Sequence, residues 1–83
     1  MRLLYFAWLR QHIGRGAEVL DVPDSISSVA ALVEWLKVKD AGYARAFSDQ
    51  NRVRVAINQV HGNFSSVISK DDEVAFFPPV TGG

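Results

Sequence analysis

The strongest constraint on the fold is one short stripe: Val29, Leu32, Val33 and Leu36 recur at i, i+3, i+4, i+7, the repeat of one helical face. Ser27 or Ser28 stands where a side chain can cap the first turn, Lys37 and Lys39 suit the negative end of the helix dipole, and Gly42 is read as the stop. Nearly every other apolar segment has strand character. `RLLYFA` (Arg2 to Ala7) is rich in β-favouring residues, and `AEVLDV` (Ala17 to Val22) alternates, with Val19 and Leu20 on opposite faces, until Pro23 ends it. `RVRVAIN` (Arg52 to Asn58) alternates strictly, with Val53, Val55 and Ile57 on one side and Arg52, Arg54, Ala56 and Asn58 on the other. `QVHG` returns as a short strand, `SKDD` is a turn and `EVAFF` is the last strand, while `WLRQHIG` and `YARAF` add short helical pieces, the first closed by Gly14 and Gly16. One helical stripe among strands at both ends predicts an α+β fold, a mixed sheet of about five strands packed on one main helix.

Such a sheet has a second face. If Val74 and Phe76 turn toward the helix, then Glu73, Ala75 and Phe77 turn away; if Leu3 and Tyr5 turn in, then Leu4 and Phe6 turn out. With Ala56 these outward residues form an apolar patch, the usual mark of a partner site on a small protein. The opposite parity would bury them instead, since both faces of `RLLYFA` are apolar.

Composition narrows the chemistry. The 83 residues allow one domain, are 48% hydrophobic and 22% charged, and carry no net charge, so no phosphate-tracking surface is expected. Arg52 and Arg54 read as a solvated strand face. The absence of cysteine excludes disulfides and thiolate chemistry, and His12 and His61 lie in no metal-ligand spacing. `KDDE` (Lys70 to Glu73) is simpler as a turn than as a cation site, `GRG` lacks the context of a phosphate loop, and Trp8 and Trp35 read as core-edge aromatics. The run Leu3 to Leu9 is too short to span a membrane and has no cleavage site after it, so an unprocessed, cytoplasmic chain is expected, without nucleic-acid or membrane partners. No nucleophile, base and orienting group come together.

The remaining candidate is `FFPPVTGG`. Pro78 and Pro79 fix their own φ and favour an extended line, Val80 and Thr81 follow, and Gly82 and Gly83 have no side chain. A stiff stem with a thin tip suits threading a main-chain carboxylate into a narrow channel. The division expected is a domain over 1–77 and an extended tail over 78–83.

`DEVAFFPPVTGG`, together with `LLYFAWLR`, the serine-capped `SVAALVEWL` and the `AIN` strand end, resembles the MoaD family, the ubiquitin-like small subunits of molybdopterin synthase. The terminal Gly-Gly alone is shared with the thiamine carrier ThiS and with ubiquitin-like modifiers, whereas `FFPPV` is more specific to the molybdopterin branch. The resemblance covers the whole chain and implies a β-grasp fold. It also implies sulfur carried as a thiocarboxylate on Gly83, after an E1-like enzyme (MoeB) adenylates the glycine with ATP-Mg and a sulfur donor displaces AMP. The large subunit (MoaE) would then use that sulfur on cyclic pyranopterin monophosphate to form the molybdopterin dithiolene, within a heterotetramer. On this reading the chain binds no cofactor or metal and is not a catalyst alone; Pro78, Pro79, Val80, Thr81 and Gly82 thread the tail, and Phe6, Ala75 and Phe77 dock the partner. Carriers for thiamine or transfer-RNA thiolation, a protein modifier and a purely structural module are the alternatives.

Overall fold

The computed structural model describes residues 1–79; Val80, Thr81, Gly82 and Gly83 lie outside the described residues. Strand β1 (Arg2–Tyr5) leads into helix α1 (Trp8–Ile13), then strand β2 (Ala17–Val19), helices α2 (Val29–Lys37) and α3 (Ala41–Ala46), a 3-10 turn (Gln50–Arg52), and strands β3 (Arg54–Ile57), β4 (Val60–His61) and β5 (Glu73–Phe77). The sheet order is β2-β1-β5-β3-β4. Its central pair, β1 and β5, is parallel, and the other pairs are antiparallel, so the sheet is mixed as expected. In register, Leu3 faces Val74, Tyr5 faces Phe76, and Val55 faces Phe76 from the other side.

One face of this sheet is covered. Leu3, Tyr5, Val55, Val74 and Phe76 are buried with Val29, Leu32, Val33 and Leu36 of α2, Leu9 and Ile13 of α1, and Tyr43, Ala46 and Phe47 around α3. The predicted stripe of α2 is therefore entirely core, and Ser28 is the cap, its Oγ accepting from the Ala31 amide at 3.2 Å. Phe76 lies at the centre, stacked on Tyr5 and edge-on to Phe47, with centroid separations of 6.3 and 4.9 Å.

Several boundaries differ from the sequence expectation, each for a local reason. The helix does not run to Gly42. It ends at Lys37, and Asp40 starts α3 by accepting from the Gly42 and Tyr43 amides at 2.8 and 3.2 Å. Gly42 belongs to the first turn of α3, where a Cβ would sit 2.6 Å from the His12 carbonyl oxygen. It is small so that α3 can meet the end of α1. Strand β1 stops at Tyr5, because Ala7 takes a left-handed φ of 56° to turn into α1. The strand β2 stops at Val19, which is exposed; Leu20 still exchanges backbone bonds with Met1, both at 3.0 Å, and Val22 turns into the core beyond it. β3 starts at Arg54, as Arg52 closes the 3-10 turn. Asn58 and Gln59 both have positive φ, the backbone of a two-residue hairpin turn between β3 and β4.

Candidate functional site

The uncovered sheet face is built by strand alternation alone. Leu4, Ala75 and Ala56 are consecutive partners across β1, β5 and β3, all half-buried on the side away from the helices. Phe77 is half-buried beside them, and Phe6, just past β1, is 49% exposed. Phe77 meets His61 of β4 edge-on, the ring centroids 5.5 Å apart. The opposite parity is excluded by the burial of Leu3, Tyr5, Val74 and Phe76. Phe6, Ala75 and Phe77 thus share one apolar face, reaching from β1 to the β3–β4 hairpin.

Beside Phe6 is a shallow cavity of about 410 Å³, lined in part by Leu4, Phe6, Ala7, Arg10, Gly16 and Ala17. The Arg10 guanidinium lies over Gly16, 3.1 Å from where a Cβ would stand. A charged group is therefore held flat at the rim of the apolar face. Arg10 had no signal in the sequence, being one exposed residue on a six-residue helix; only the fold brings it to Gly16.

Pro78 and Pro79 follow β5 directly and are half-buried. The strands on either side of β5 continue into Trp8, after β1, and Arg52, before β3. The Arg52 guanidinium lies 5.2 Å from the centre of the Trp8 ring. The reading of Arg52 as part of a solvated strand face is thus corrected: it is in the 3-10 turn and rests on an indole. Val80, Thr81, Gly82 and Gly83, the remainder of the expected tail, fall outside the described residues.

On the covered side, Glu18 joins three elements. Its Oε2 accepts from the hydroxyls of Tyr5 at 2.7 Å and Tyr43 at 2.5 Å, and its Oε1 accepts from Arg15 at 2.9 Å. Burial raises the Glu18 pKa, but the bonds from Tyr43, Tyr5 and Arg15 outweigh it and leave the carboxyl below its ordinary value. Burial first, then Glu18, pushes the Tyr43 phenol up to about 12 and the Tyr5 phenol well above its usual range. This cluster ties β2 to β1 and α3. With every oxygen occupied, it is a fastening rather than a reactive centre.

Among the described residues, no three potential metal-binding side chains gather. Asp72, in the `KDDE` turn, accepts instead from the Ser69 amide at 2.7 Å and the Asn58 side chain at 3.0 Å. No helix among them is long and apolar enough to cross a membrane.

Comparison with known proteins adds to this geometry. The sequence matches the ThiS family over residues 3–83. The chain belongs to the ThiS family. Among its relatives, the molybdopterin synthase sulfur carrier subunit of Haemophilus influenzae is 36% identical over 83 residues, covering 100% of this chain and 99% of that one. The protein of the same description from Escherichia coli K12 is 35% identical, with the same coverage. Among solved structures, SAMP1 of Haloferax volcanii superposes with a TM-score of 0.76 at 26% identity, over 100% of this chain and 98% of that one. The fold of this ThiS-family chain is thus the ubiquitin-like β-grasp, and the resemblance carried by `DEVAFFPPVTGG` holds over its full length.

Proposed function

We propose that this chain is the sulfur carrier subunit of a molybdopterin synthase, acting in molybdenum cofactor biosynthesis. The observation that carries the reading is the full-length similarity, at about 35% identity, to proteins of that description. The apolar outer sheet face beside the root of the tail supports it.

The reacting atom is the carboxyl carbon of Gly83. A free α-carboxyl has a pKa of roughly 3.3–3.7 and is ionised near neutrality, which makes it a poor electrophile. An E1-like adenylyltransferase of the MoeB kind, with ATP-Mg, turns it into an acyl-adenylate and releases pyrophosphate. Sulfur from a donor attacks the acyl carbon and AMP leaves, so the C–O bond to phosphate is exchanged for a C–S bond. The thiocarboxylate then reaches the large subunit (MoaE), where it supplies sulfur to cyclic pyranopterin monophosphate. This chain contributes the reacting group and its positioning, with Pro78, Pro79, Val80, Thr81 and Gly82 threading it; acid–base chemistry and the substrate pocket belong to the partner. It holds no cofactor, works in the cytoplasm, and docks through Phe6, Ala75 and Phe77.

The test is intact-mass measurement after incubation with activating enzyme, ATP-Mg and donor. Loading adds about 16 Da, the same nominal shift as oxidation of Met1, so fragmentation must place the mass on Gly83. A chain lacking Gly83 should gain nothing; if it is still loaded, the proposal fails. The similarity to SAMP1, called small archaeal modifier protein 1, favours a second reading as a protein modifier. High-mass conjugates in lysate that vanish on deletion of Gly83 would support that reading, whereas co-purification with a large synthase subunit supports the first.

A further inference from the structure

Backbone pairing holds β5 only as far as Phe77, whose partner on β3 is Arg54. The next two residues, Pro78 and Pro79, have no N–H to donate, so the ladder cannot carry the tail further. The sheet thus releases the tail at the point where its direction is set.

Two irregularities in the neighbouring strands meet there. Counted on from the Arg54–Phe77 pair, Pro79 is level with Arg52; counted on from the Tyr5–Phe76 pair, it is level with Trp8. Neither residue continues its strand. Ala7 takes φ 56° and ψ −133°, a combination rare for a residue with a Cβ, and so turns Trp8 off the line of β1. On the other side, Asp49 opens the 3-10 turn in place of strand. Its side chain accepts from the Asn51 amide and its carbonyl from the Arg52 amide, both at 3.1 Å. The two side chains then meet, with the Arg52 guanidinium carbon 5.2 Å from the centre of the Trp8 ring. Together they line a cavity of about 320 Å³ with His12 of α1 and Arg45 and Ala46 of α3, so the contact lies on the helix side of the sheet. His12, edge-on at 6.1 Å, and packing against the core hold the indole in place.

We propose that the Trp8–Arg52 contact positions the tail: it is a bar that closes the helix side of the exit at Pro78 and Pro79 and directs the stem along the face of Ala75 and Phe77. The inference rests on the sulfur-carrier reading above and adds two positioning residues to it, neither of which touches the reacting carboxyl. Leverage makes the root matter. A polyproline-like chain advances roughly 3.1 Å per residue, so a tail drawn into a channel carries the Gly83 carboxyl on the order of 12 Å beyond Pro79. A swing of about 20° at the root then moves the tip by about 4 Å, while a misplacement of about 1 Å can slow a reaction ~100-fold. The prolines make the stem stiff, and stiffness helps only if the base is fixed. Every enzyme to which the carboxyl is offered receives the same tail, so the bar serves each of them.

The test is adenylation of the full chain by the activating enzyme, read as pyrophosphate release over a range of carrier concentrations. Arg52 is exposed, so Arg52→Ala should leave the urea midpoint nearly unchanged. Its kcat should fall about three- to tenfold, while KM, governed by the apolar face, stays within about twofold. Arg52→Lys keeps a cation beside the indole, as Lys39 does over Trp35 at 4.4 Å, and should restore most of the rate. Arg45→Ala removes the same charge from the cavity but leaves the Trp8–Arg52 contact, and should match the unaltered chain. In Pro78→Gly/Pro79→Gly the softened stem no longer transmits the direction of the root, so adding Arg52→Ala should slow it no further. An unchanged kcat in Arg52→Ala, a lysine variant as slow as the alanine one, equal slowing by Arg45→Ala, or the full further loss in the softened stem would overturn the positioning role. Failure of the unaltered chain to be adenylated at all would instead overturn the carrier reading.

Discussion

His61 stands edge-on to Phe77 across the outer face of the sheet, the ring centroids 5.5 Å apart. The β3–β4 hairpin therefore extends the apolar face, and Phe77 rests against the imidazole while staying partly exposed. Its neighbour in sequence has the opposite fate, since Phe76 is fully buried between Tyr5 and Phe47.

Adjacent phenylalanines should thus report different properties. Phe76→Ala is expected to cost about 3–5 kcal/mol of stability, because the cavity it leaves is walled by fixed rings. Phe77→Ala should cost less, about 1–2 kcal/mol in urea unfolding, since its side chain is only partly buried and lies on the uncovered face. By calorimetry it should nevertheless weaken binding to the large subunit at least tenfold. Equal losses of folding and binding would mean that Phe77 acts only as core.

The Glu18 cluster sets a pH window. The Glu18 carboxyl is depressed in the folded chain, so its contribution is complete above the unfolded value of about 4.3 and is lost as pH falls through the lower folded value. Tyr43 has the opposite sign: its phenol rises from about 10 to about 12, so its share is complete below pH ~10 and lost as pH rises through the folded value. Denaturant midpoints should be flat from pH ~5 to ~9 and fall on both sides. In Glu18→Gln the acid-side fall should shrink; an unchanged acid limb would place the sensitivity elsewhere.

Gly42 makes a prediction of a different kind. A methyl group there would meet the His12 carbonyl oxygen at 2.6 Å, a backbone atom unable to swing away. Although Ala is the better helix former by about 1 kcal/mol, Gly42→Ala should destabilise by about 1–3 kcal/mol through overpacking. A variant as stable as the parent would show that α3 slides freely on α1.

Much of this was legible before any coordinates. The four-residue stripe of α2, the inward parity of Val53, Val55 and Ile57 and the parity of `EVAFF` each obey a single local period, and the burial follows it, although β3 itself begins only at Arg54. The errors fall where local signals compete. Gly42 resembles a helix stop, yet Asp40 two residues earlier is the stronger signal, and it starts a new helix. Ala7 gives no warning of its left-handed φ, because the turn into α1 is imposed by packing of Leu9 and Ile13. The Arg52–Trp8 contact and the Glu18–Tyr43 bond join residues distant in sequence, and no periodicity records such pairs.

The parallel pairing of β1 with β5 has a consequence for how the molecule is made. β5 is the strand to which both β1 and β3 are bonded, so until Glu73–Phe77 has emerged from the ribosome there are only two separate ribbons with no joint between them. Translation therefore delivers the seam of the sheet only after the other four strands, together with the segment that carries the proposed chemistry. A message cut short before that point yields a chain with neither a joined sheet nor a tail to load. Assembly itself thus acts as an inspection step, because a chain folded well enough to be recognised has, in folding, already put the root of its tail in place.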